Sequence, residues 1–285
     1  MKGEKLAARP DLVWLLVWLA GMGVLLLWDL AFLNNPALKR LLNALFNTLA
    51  AGLTVVVLAL LLGWACGAGL YLLERRGRKG VYLTMTFLLN IVRSVPQIVG
   101  ILAGYIVLTL LIEREVLVGS AALLFWMSAI VAVFVFLDIA DLVRGRIAQF
   151  AALDFYPAML CCGVSEARIV NVEILWKNSR AHLLHAMIAV FGMAVFLQCS
   201  IDFILSVGLS TEVSASNFPA TLGGLLATMD SKQDILAVGT ILTDPAYTPQ
   251  LFFRHLQGLS VAFALIFTLL CIHTITAGFV RRRRL

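Results

Sequence analysis

Charged residues are scarce in this sequence, since Asp, Glu, Lys and Arg make up only 13% of its 285 residues. Apolar residues make up 61% of the chain. Soluble domains contain about 25% charged and about 45–50% apolar residues. A soluble core does not need such a surplus, and the apolar residues recur in long unbroken runs. The composition therefore excludes an ordinary soluble protein and predicts an all-α integral membrane protein.

Several kinds of chemical site are also missing from the sequence. It contains no G-x-x-x-x-G-K-[S/T] phosphate loop, no H-E-x-x-H metal motif and no convincing Ser-His-Asp or Cys-His arrangement. Its five cysteines (Cys66, Cys161, Cys162, Cys199 and Cys271) lie mostly in apolar stretches and predict small packing residues, without a disulfide or metal role. We expect no enzymatic activity in this chain and no nucleic-acid partner. Because the phosphate loop is missing, any process that this chain drives would take its energy from another chain or from an ion gradient.

Six apolar runs reach the roughly 20 residues that cross a bilayer as a helix. They cover residues 12–33, 46–73, 82–111, 118–140, 183–209 and 257–280. If the spans alternate in direction, one side receives the basic N-terminal tail, the clusters at 75–79 and 144–180, and Arg281–Arg284. Basic loops favour the cytoplasm, so we expect about six transmembrane helices with both termini cytoplasmic. No small-residue cleavage site follows the first run, which we interpret as a retained anchor.

The segments between these runs suggest how the chain is organised. Residues 1–45 would form the tail, the first helix and a short external link over 34–45, and residues 46–285 would form a core with five helices. Within this core, 141–182 predicts a cytoplasmic segment that is amphipathic and helical. Residues 210–256 predict a long external loop with a helix-like stretch near 220–230. Loops of this length usually have a function or are ordered against something.

The segment 141–182 contains the strongest functional signal. Residues 154–179 predict two short helical pieces around Gly163, which ends the first piece and lets the chain turn. Ser165 has the side chain of a helix N-cap for the second piece. A helix parallel to the membrane is suited to dock into a groove on a soluble partner. The alternative interpretation is a solvated amphipathic connector.

This stretch resembles the EAA loop, E-A-A-x-x-x-G-x(9)-I-x-L-P, of binding-protein-dependent ABC importer permeases. It is most similar to the form in dipeptide, oligopeptide and nickel permeases, G-A-S-x-x-R-I…I-L-P-N with an upstream L-V-R-G. The matching positions are Gly163, Ser165, Arg168, Ile169, Ile174, Leu175, Asn178 and Leu142–Gly145, together with Trp126 and Arg93–Pro96. Two parts of the loop depart from the pattern, since Pro157-Ala158-Met159 replaces E-A-A and Trp176 replaces the proline. In a later helix, the stretch Gln198–Gly208 replaces the family's E-A-S-L-S-F-L-G-L-G and gains Asp202.

The resemblance implies the transmembrane domain of a type I ABC importer in a bacterial inner membrane. It implies as partners a second homologous permease, two ATP-binding subunits or domains, and an extracytoplasmic solute-binding protein. ATP and Mg would be bound by the partner subunit and no cofactor by this chain. The implied substrate is a small solute, either a peptide or a peptide-like or metal-chelate compound. The residues implied in coupling to the ATPase are Tyr156, Pro157, Ala158, Met159, Gly163, Val164, Ser165, Glu166 and Arg168.

Polar residues within the apolar runs are further candidates, because charge at membrane depth is costly and commonly functional. The candidate pathway or gate residues are Arg93, Pro96, Gln198, Ser200 and Asp202. Arg93 would line a gate or pair across a permease dimer, or else snorkel to the interface or pair with Asp138 or Asp141. Asp202 would contact a cationic substrate group, or else hold a neighbouring helix by hydrogen bonds.

Two other functions are compatible with a polytopic chain. An ion-coupled secondary transporter or channel would need no ATPase, but it predicts charged or unwound helices in paired repeats near the midplane. We find no such pairing in the sequence. A membrane scaffold or assembly factor is the third alternative.

Overall fold

The computed structural model describes residues 10–117, 119–208, 218–254 and 256–281, and within these ranges all regular structure is helical. Five helices are each long and apolar enough to cross a membrane, and a bent pair supplies a sixth if it is counted as one span. The five single spans are Leu12–Phe32, Asn35–Arg75, Ser120–Ala151, Arg180–Leu205 and Gln257–Ala277. The chain is therefore a multi-pass membrane protein.

The described residues form the following helical elements in chain order. They are α1 (Pro10–Phe32), α2 (Asn35–Arg75), α3 (Lys79–Ser94), α4 (Gln97–Glu113), α5 (Ser120–Ala151), α6 (Phe155–Cys161), the single turn α7 (Glu166–Arg168), the π-helix π1 (Ile169–Asn178), α8 (Arg180–Gly208), α9 (Leu222–Leu226), α10 (Met229–Thr243), a 3₁₀ turn (Pro245–Tyr247), α11 (Thr248–Arg254) and α12 (Leu256–Arg281).

Helix α2 begins much earlier than the hydropathy predicts. The external link predicted over 34–45 is wrong, because only Leu33 and Asn34 separate α1 from α2. Pro36 occupies the second helical position, where its missing N–H costs no helical hydrogen bond. The polar residues after it lowered the local hydropathy without interrupting the helix. The 41 residues of α2 exceed the length that a bilayer requires.

The third predicted span is broken rather than continuous. Helices α3 and α4 meet at an angle of 94° across Val95 and Pro96. Proline disfavours helical geometry in the preceding residue, and Val95 is accordingly extended, with φ −83° and ψ 126°. The single helix predicted over 82–111 therefore becomes two helices of 16 and 17 residues.

The chain forms two compact units. The first contains the chain before Leu53, residues 106–127 and the chain after Ala194. In this unit α1 packs along α12, where the indole of Trp18 donates a hydrogen bond of 2.9 Å to Thr268. In the same unit Asp29 is fully buried and accepts a hydrogen bond from Ser260.

The second unit contains Leu53–Tyr105 and Ser128–Ala194. In this unit α2 and α5 approach closely at two glycines of α2, Gly63 and Gly67. A Cβ atom on Gly67 would lie 2.8 Å from the carbonyl oxygen of Ala140 and 2.8 Å from a methyl carbon of Val143. Small residues at four-residue spacing allow such backbone contact between membrane helices.

We predict that Gly67→Ala lowers the stability of the protein by about 1–3 kcal/mol, because the added methyl group meets backbone that cannot move aside easily. Gly69→Ala is the matched control, since a Cβ atom there would meet nothing within 4 Å. Thermal unfolding in detergent measures both variants. Equal melting temperatures for the two would contradict the close approach of α2 and α5.

Candidate functional site

The segment between α5 and α8 is built from short helical pieces, as the sequence predicted. Helix α6 ends at Cys161, and Gly163 follows with a φ of +77°, a conformation that side chains other than glycine rarely adopt. The amide of Val164 closes this turn by donating to the carbonyl of Met159 at 3.2 Å. Ser165 precedes α7 with the extended backbone of an N-cap, but its side chain makes no capping hydrogen bond.

The next ten residues form π1, which the sequence did not predict. Its buried residues are Ile169, Val170, Ile174 and Leu175, and all four are fully inaccessible. They repeat with a spacing of five residues, which matches the i→i+5 hydrogen bonding of a π-helix better than the 3.6-residue period of an α-helix. The π geometry thereby brings four aliphatic side chains onto one buried face. Trp176 lies outside this face and is 68% exposed.

A polar joint connects the segment to the last turn of α2. The Nε of Arg75 lies 2.5 Å from Oε1 of Glu166, and the hydroxyl of Tyr156 donates to the same carboxylate oxygen at 2.9 Å. The guanidinium of Arg75 also lies 4.7 Å from the centre of the Tyr156 ring, within the range of a cation–π interaction. Three residues from three helices therefore bind one another through shared groups. We call Arg75, Tyr156 and Glu166 the joint.

Burial fixes the protonation state of the joint. The Tyr156 side chain is 1% exposed, and this burial raises the pKa of its phenol well above the ordinary value near 10, with further contributions from Tyr71 and Glu166. The phenol therefore stays protonated and donates its hydrogen bond throughout the physiological range. Because the neutral form is favoured in the folded state, this contribution to stability is lost only at strongly alkaline pH.

Two further hydrogen-bonded contacts fix the segment downstream of the joint. The indole of Trp64 on α2 donates to the Asn171 side chain at 2.7 Å. At the end of π1, the Nε of Arg146 on α5 donates to the hydroxyl of Ser179 at 3.1 Å. Ser179 is completely buried, so this contact is shielded from solvent. The segment is thus held by α2 at its middle and by α5 at its end.

The outer surface of α6 consists of small side chains. Pro157, Ala158, Cys161 and Cys162 are exposed, while Tyr156 points into the joint. The prediction that all five cysteines pack in apolar surroundings is therefore wrong for Cys161 and Cys162, which lie on this outer surface as free thiols. We call these four residues the α6 face. Its side chains are small and accessible, which suits insertion into a groove.

The remaining predicted coupling residues surround the α6 face. Met159 and Val164 are half-buried beneath it, whereas Gly163, Ser165 and Arg168 are exposed beside it. Of the nine residues, only Tyr156 is buried in the protein. The sequence therefore located an accessible stretch of chain, and the structure separates its exposed residues from those that anchor it.

Arg93 and Pro96 lie in the second unit. The guanidinium of Arg93 pairs with Asp141 at 2.6 Å, as one of the sequence alternatives proposed. Both side chains are about half exposed, so screening by solvent keeps this pair weak in energy. A cleft of about 550 Å³, lined by Asp141, Arg144 and Arg75 among others, lies beside the joint. Pro96 marks the break between α3 and α4.

Asp202, Gln198 and Ser200 lie on α8 in the first unit. Asp202 is 8% exposed and accepts a hydrogen bond from the hydroxyl of Thr221. Ser200 donates to the carbonyl of Phe196 in its own helix at 2.8 Å. The Nε2 of Gln198 is buried and has no hydrogen-bond partner among the described residues.

The first residues of α9 are tied to α2 and α8. The amide of Leu222 donates to Thr48 at 2.9 Å, and a Cβ atom on Gly223 would lie 2.5 Å from the Cα of Cys199. The hydrogen bond from Thr221 to Asp202 joins α8 to the residue before α9, which is the kind of contact that the second sequence alternative for Asp202 describes. A cavity of about 710 Å³ next to this contact is lined by Asp202, Arg40 and other residues.

Sequence reasoning missed the partners that anchor residues 155–179, which we call the coupling segment after its predicted role. Arg75 was recognised only as one charge in a basic cluster, and Arg146 only as an inside charge near the L-V-R-G motif. Trp64 lies inside an apolar run, where nothing in the sequence distinguishes a hydrogen-bonding indole from a packing side chain. These partners are distant in sequence, and no local pattern links them to their contacts.

Comparison with protein-family models and with curated proteins gives no match to this chain. The function of the site is therefore inferred from its geometry and from the sequence pattern. Within the described residues, no group of His, Cys, Asp and Glu side chains is arranged to hold a metal ion.

We predict that Tyr156→Phe loosens the coupling segment, because it removes the hydrogen bond to Glu166 but leaves the ring beneath Arg75. The loss should be about 1–2 kcal/mol of local opening free energy. Hydrogen exchange of the amides from 156 to 168 measures it. Ser165→Ala is the control and should leave exchange unchanged, because the Ser165 side chain makes no capping bond. Equal exchange in the two variants would contradict the joint.

Proposed function

We propose that this chain is the transmembrane permease subunit of an ATP-binding-cassette importer. It would form half of a translocation pathway and couple ATP hydrolysis in a separate subunit to the uptake of a small solute. The observation that carries the proposal concerns the two sides of α6. One side is the accessible α6 face with its small side chains, and on the other side Tyr156 ties the helix to the membrane-spanning helix α2 through the joint.

The joint would transmit a displacement of the α6 face to helix α2. A groove that pulls or pushes α6 acts on Tyr156, which shares its carboxylate partner with Arg75 at the end of α2. Displacement of the segment therefore reaches a helix of 41 residues through three side chains instead of being absorbed in a loop. Alternating access needs such a connection, because spanning elements must move as rigid bodies around the pathway.

The position of the segment in the chain also supports this proposal. It connects the fourth and fifth candidate spans, when the bent pair is counted as one, and follows the basic residues Arg144 and Arg146. Basic connections favour the cytoplasm, so we place this segment and both termini there. The resemblance to the peptide and nickel permeases makes a peptide-like or metal-chelate substrate our proposal for the cargo, in a bacterial inner membrane.

Isolation of the chain from its native membrane in mild detergent tests the proposal directly. We expect mass spectrometry to identify a second permease and an ATP-binding subunit, and we expect the isolated complex to hydrolyse ATP. Recovery of this chain alone, together with transport that collapses with the proton gradient, would instead favour an ion-coupled transporter.

We predict that Ala158→Trp removes the ATP-binding subunit from this complex, because an indole on the α6 face would clash with a groove that accepts small side chains. Ala181→Trp is the matched control. Ala181 is also exposed but lies at the start of α8, outside the α6 face. Quantitative mass spectrometry of the isolated complexes compares the two. Retention of the ATP-binding subunit by both variants would show that α6 is not its docking site.

We predict that Gly163→Val abolishes transport and leaves membrane insertion intact. A Cβ atom on Gly163 would meet nothing within 4 Å, so the effect would come from the positive φ, which strains a β-branched residue by about 1–3 kcal/mol. Gly119→Val is the control, since Gly119 has a φ of +106° and open surroundings but lies outside the coupling segment. Uptake by whole cells is the measurement. Normal uptake by Gly163→Val would contradict the coupling role.

A further inference from the structure

The segment that connects α9 to α12 was predicted as an external loop, but much of it is helical and apolar. Residues 235–253 contain one charged residue, Asp244. Helix α10 has 15 residues and so rises about 22 Å, too short for a hydrocarbon core of about 30 Å. Apolar helices of intermediate length are typical of the membrane interface or of a buried core.

One narrow stripe of α10 faces the protein. Asp234, Ala237 and Ile241 are half-buried at helical spacing, and the Oδ2 of Asp234 accepts a hydrogen bond of 2.8 Å from the amide of Gly258 at the start of α12. This contact attaches the half-buried side of α10 to α12. Within 236–243, the residues other than Ala237 and Ile241 are exposed.

The uncovered side of α10 is apolar. Leu242 is 89% exposed and Leu236 75% exposed, and Val238 is exposed between them. The other exposed residues on this side within 236–243 are Gly239, Thr240 and Thr243, so this stretch of the helix presents no charge. A continuous apolar surface of this kind in water would be a site of association.

Three threonine hydroxyl groups of the same segment donate to the backbone of the segment itself. Thr240 donates to the carbonyl of Ala237, Thr243 to that of Thr240 at 3.0 Å, and Thr248 to that of Pro245 at 2.7 Å. Threonines that bind the preceding turn need no water or other partner for their protons. The exposed surface is therefore compatible with an apolar solvent.

An aromatic cluster fixes the level of this segment relative to a membrane span. The ring of Phe253 on α11 lies 5.4 Å from Phe32 in an edge-to-face arrangement and 6.1 Å from Trp28. Trp28 and Phe32 are exposed residues at the end of the span Leu12–Phe32. Tryptophan and other aromatic side chains at the ends of spans are typical of the boundary between lipid and water.

We propose that the surface of Leu236, Val238, Leu242 and Phe253 is a lipid-binding face that lies in the boundary between headgroups and acyl chains. The lipid is chosen over a protein partner because the next helix, α11, packs the ring of Phe253 against Trp28 and Phe32 at the end of a membrane span. Asp244, which is exposed and caps the following turn by accepting from the amide of Ala246 at 3.0 Å, lies among the headgroups. The proposal does not depend on the transport function.

Spin labelling in lipid vesicles tests this face. Leu236→Cys and Leu242→Cys are made in a variant whose five native cysteines are replaced, labelled with a nitroxide and reconstituted with phosphatidylethanolamine and phosphatidylglycerol. We expect collisions with oxygen to exceed collisions with a polar nickel complex several-fold at both sites. Leu61→Cys, exposed in the span α2, is the lipid reference, and Arg76→Cys, in an exposed turn, is the water reference.

Two results would overturn the proposal. Values at Leu242→Cys equal to those at Arg76→Cys would place the face in water. Exclusion of both oxygen and the nickel complex would show that a protein surface covers it. An independent measurement uses the unaltered chain, reconstituted with a lipid that carries a photoreactive group near the headgroup. Crosslinks in peptides from 236–253 support the lipid-binding face, and their absence where the spans are labelled contradicts it.

Discussion

The contact of Arg75 with both Glu166 and Tyr156 is the interaction on which the coupling segment depends. Arg75 and Glu166 are 43% and 21% exposed at their side chains, so the ion pair alone would contribute little to stability. Its value lies in geometry, because the same guanidinium also lies against the buried Tyr156 ring and the same carboxylate accepts the tyrosine hydroxyl. Groups that share partners in this way restrict one another more than separate pairs would.

The sequence predicted the local structure of this segment but not its anchoring. Gly163 and the helical pieces around it follow local rules, since a positive φ favours glycine and short helices show in the spacing of apolar residues. The joint, by contrast, brings Arg75 to Glu166 across about ninety positions of sequence. Local patterns contain no information on such pairs. The π geometry was missed for a related reason, since its five-residue repeat becomes clear only when buried side chains are known.

The helical spans were predicted better than the connections between them. Hydropathy detects that a run is apolar, and five runs became single helices. It does not detect whether a helix continues into polar residues, as α2 does through 35–45, or bends at Pro96. Nor does it distinguish water from the membrane surface as the surroundings of a short apolar helix. For this reason residues 210–256 were expected to form a loop with one helix-like stretch near 220–230, although helices also occupy most of 229–254.

The polar groups of two connecting segments indicate what each one contacts. In the coupling segment, Tyr156 and Asn171 bind side chains of other helices, so the segment cannot move without them. In α10 and the turn after it, Thr240, Thr243 and Thr248 bind their own backbone. Asp234 links the same helix to α12 through the amide of Gly258. A segment that transmits displacement needs cross-links to spanning helices, whereas a segment resting on lipid needs its polar groups satisfied within itself. The side-chain hydrogen bonds to other helices support the coupling role that we propose for the first segment, and the satisfied threonines support the lipid-facing position that we propose for the second.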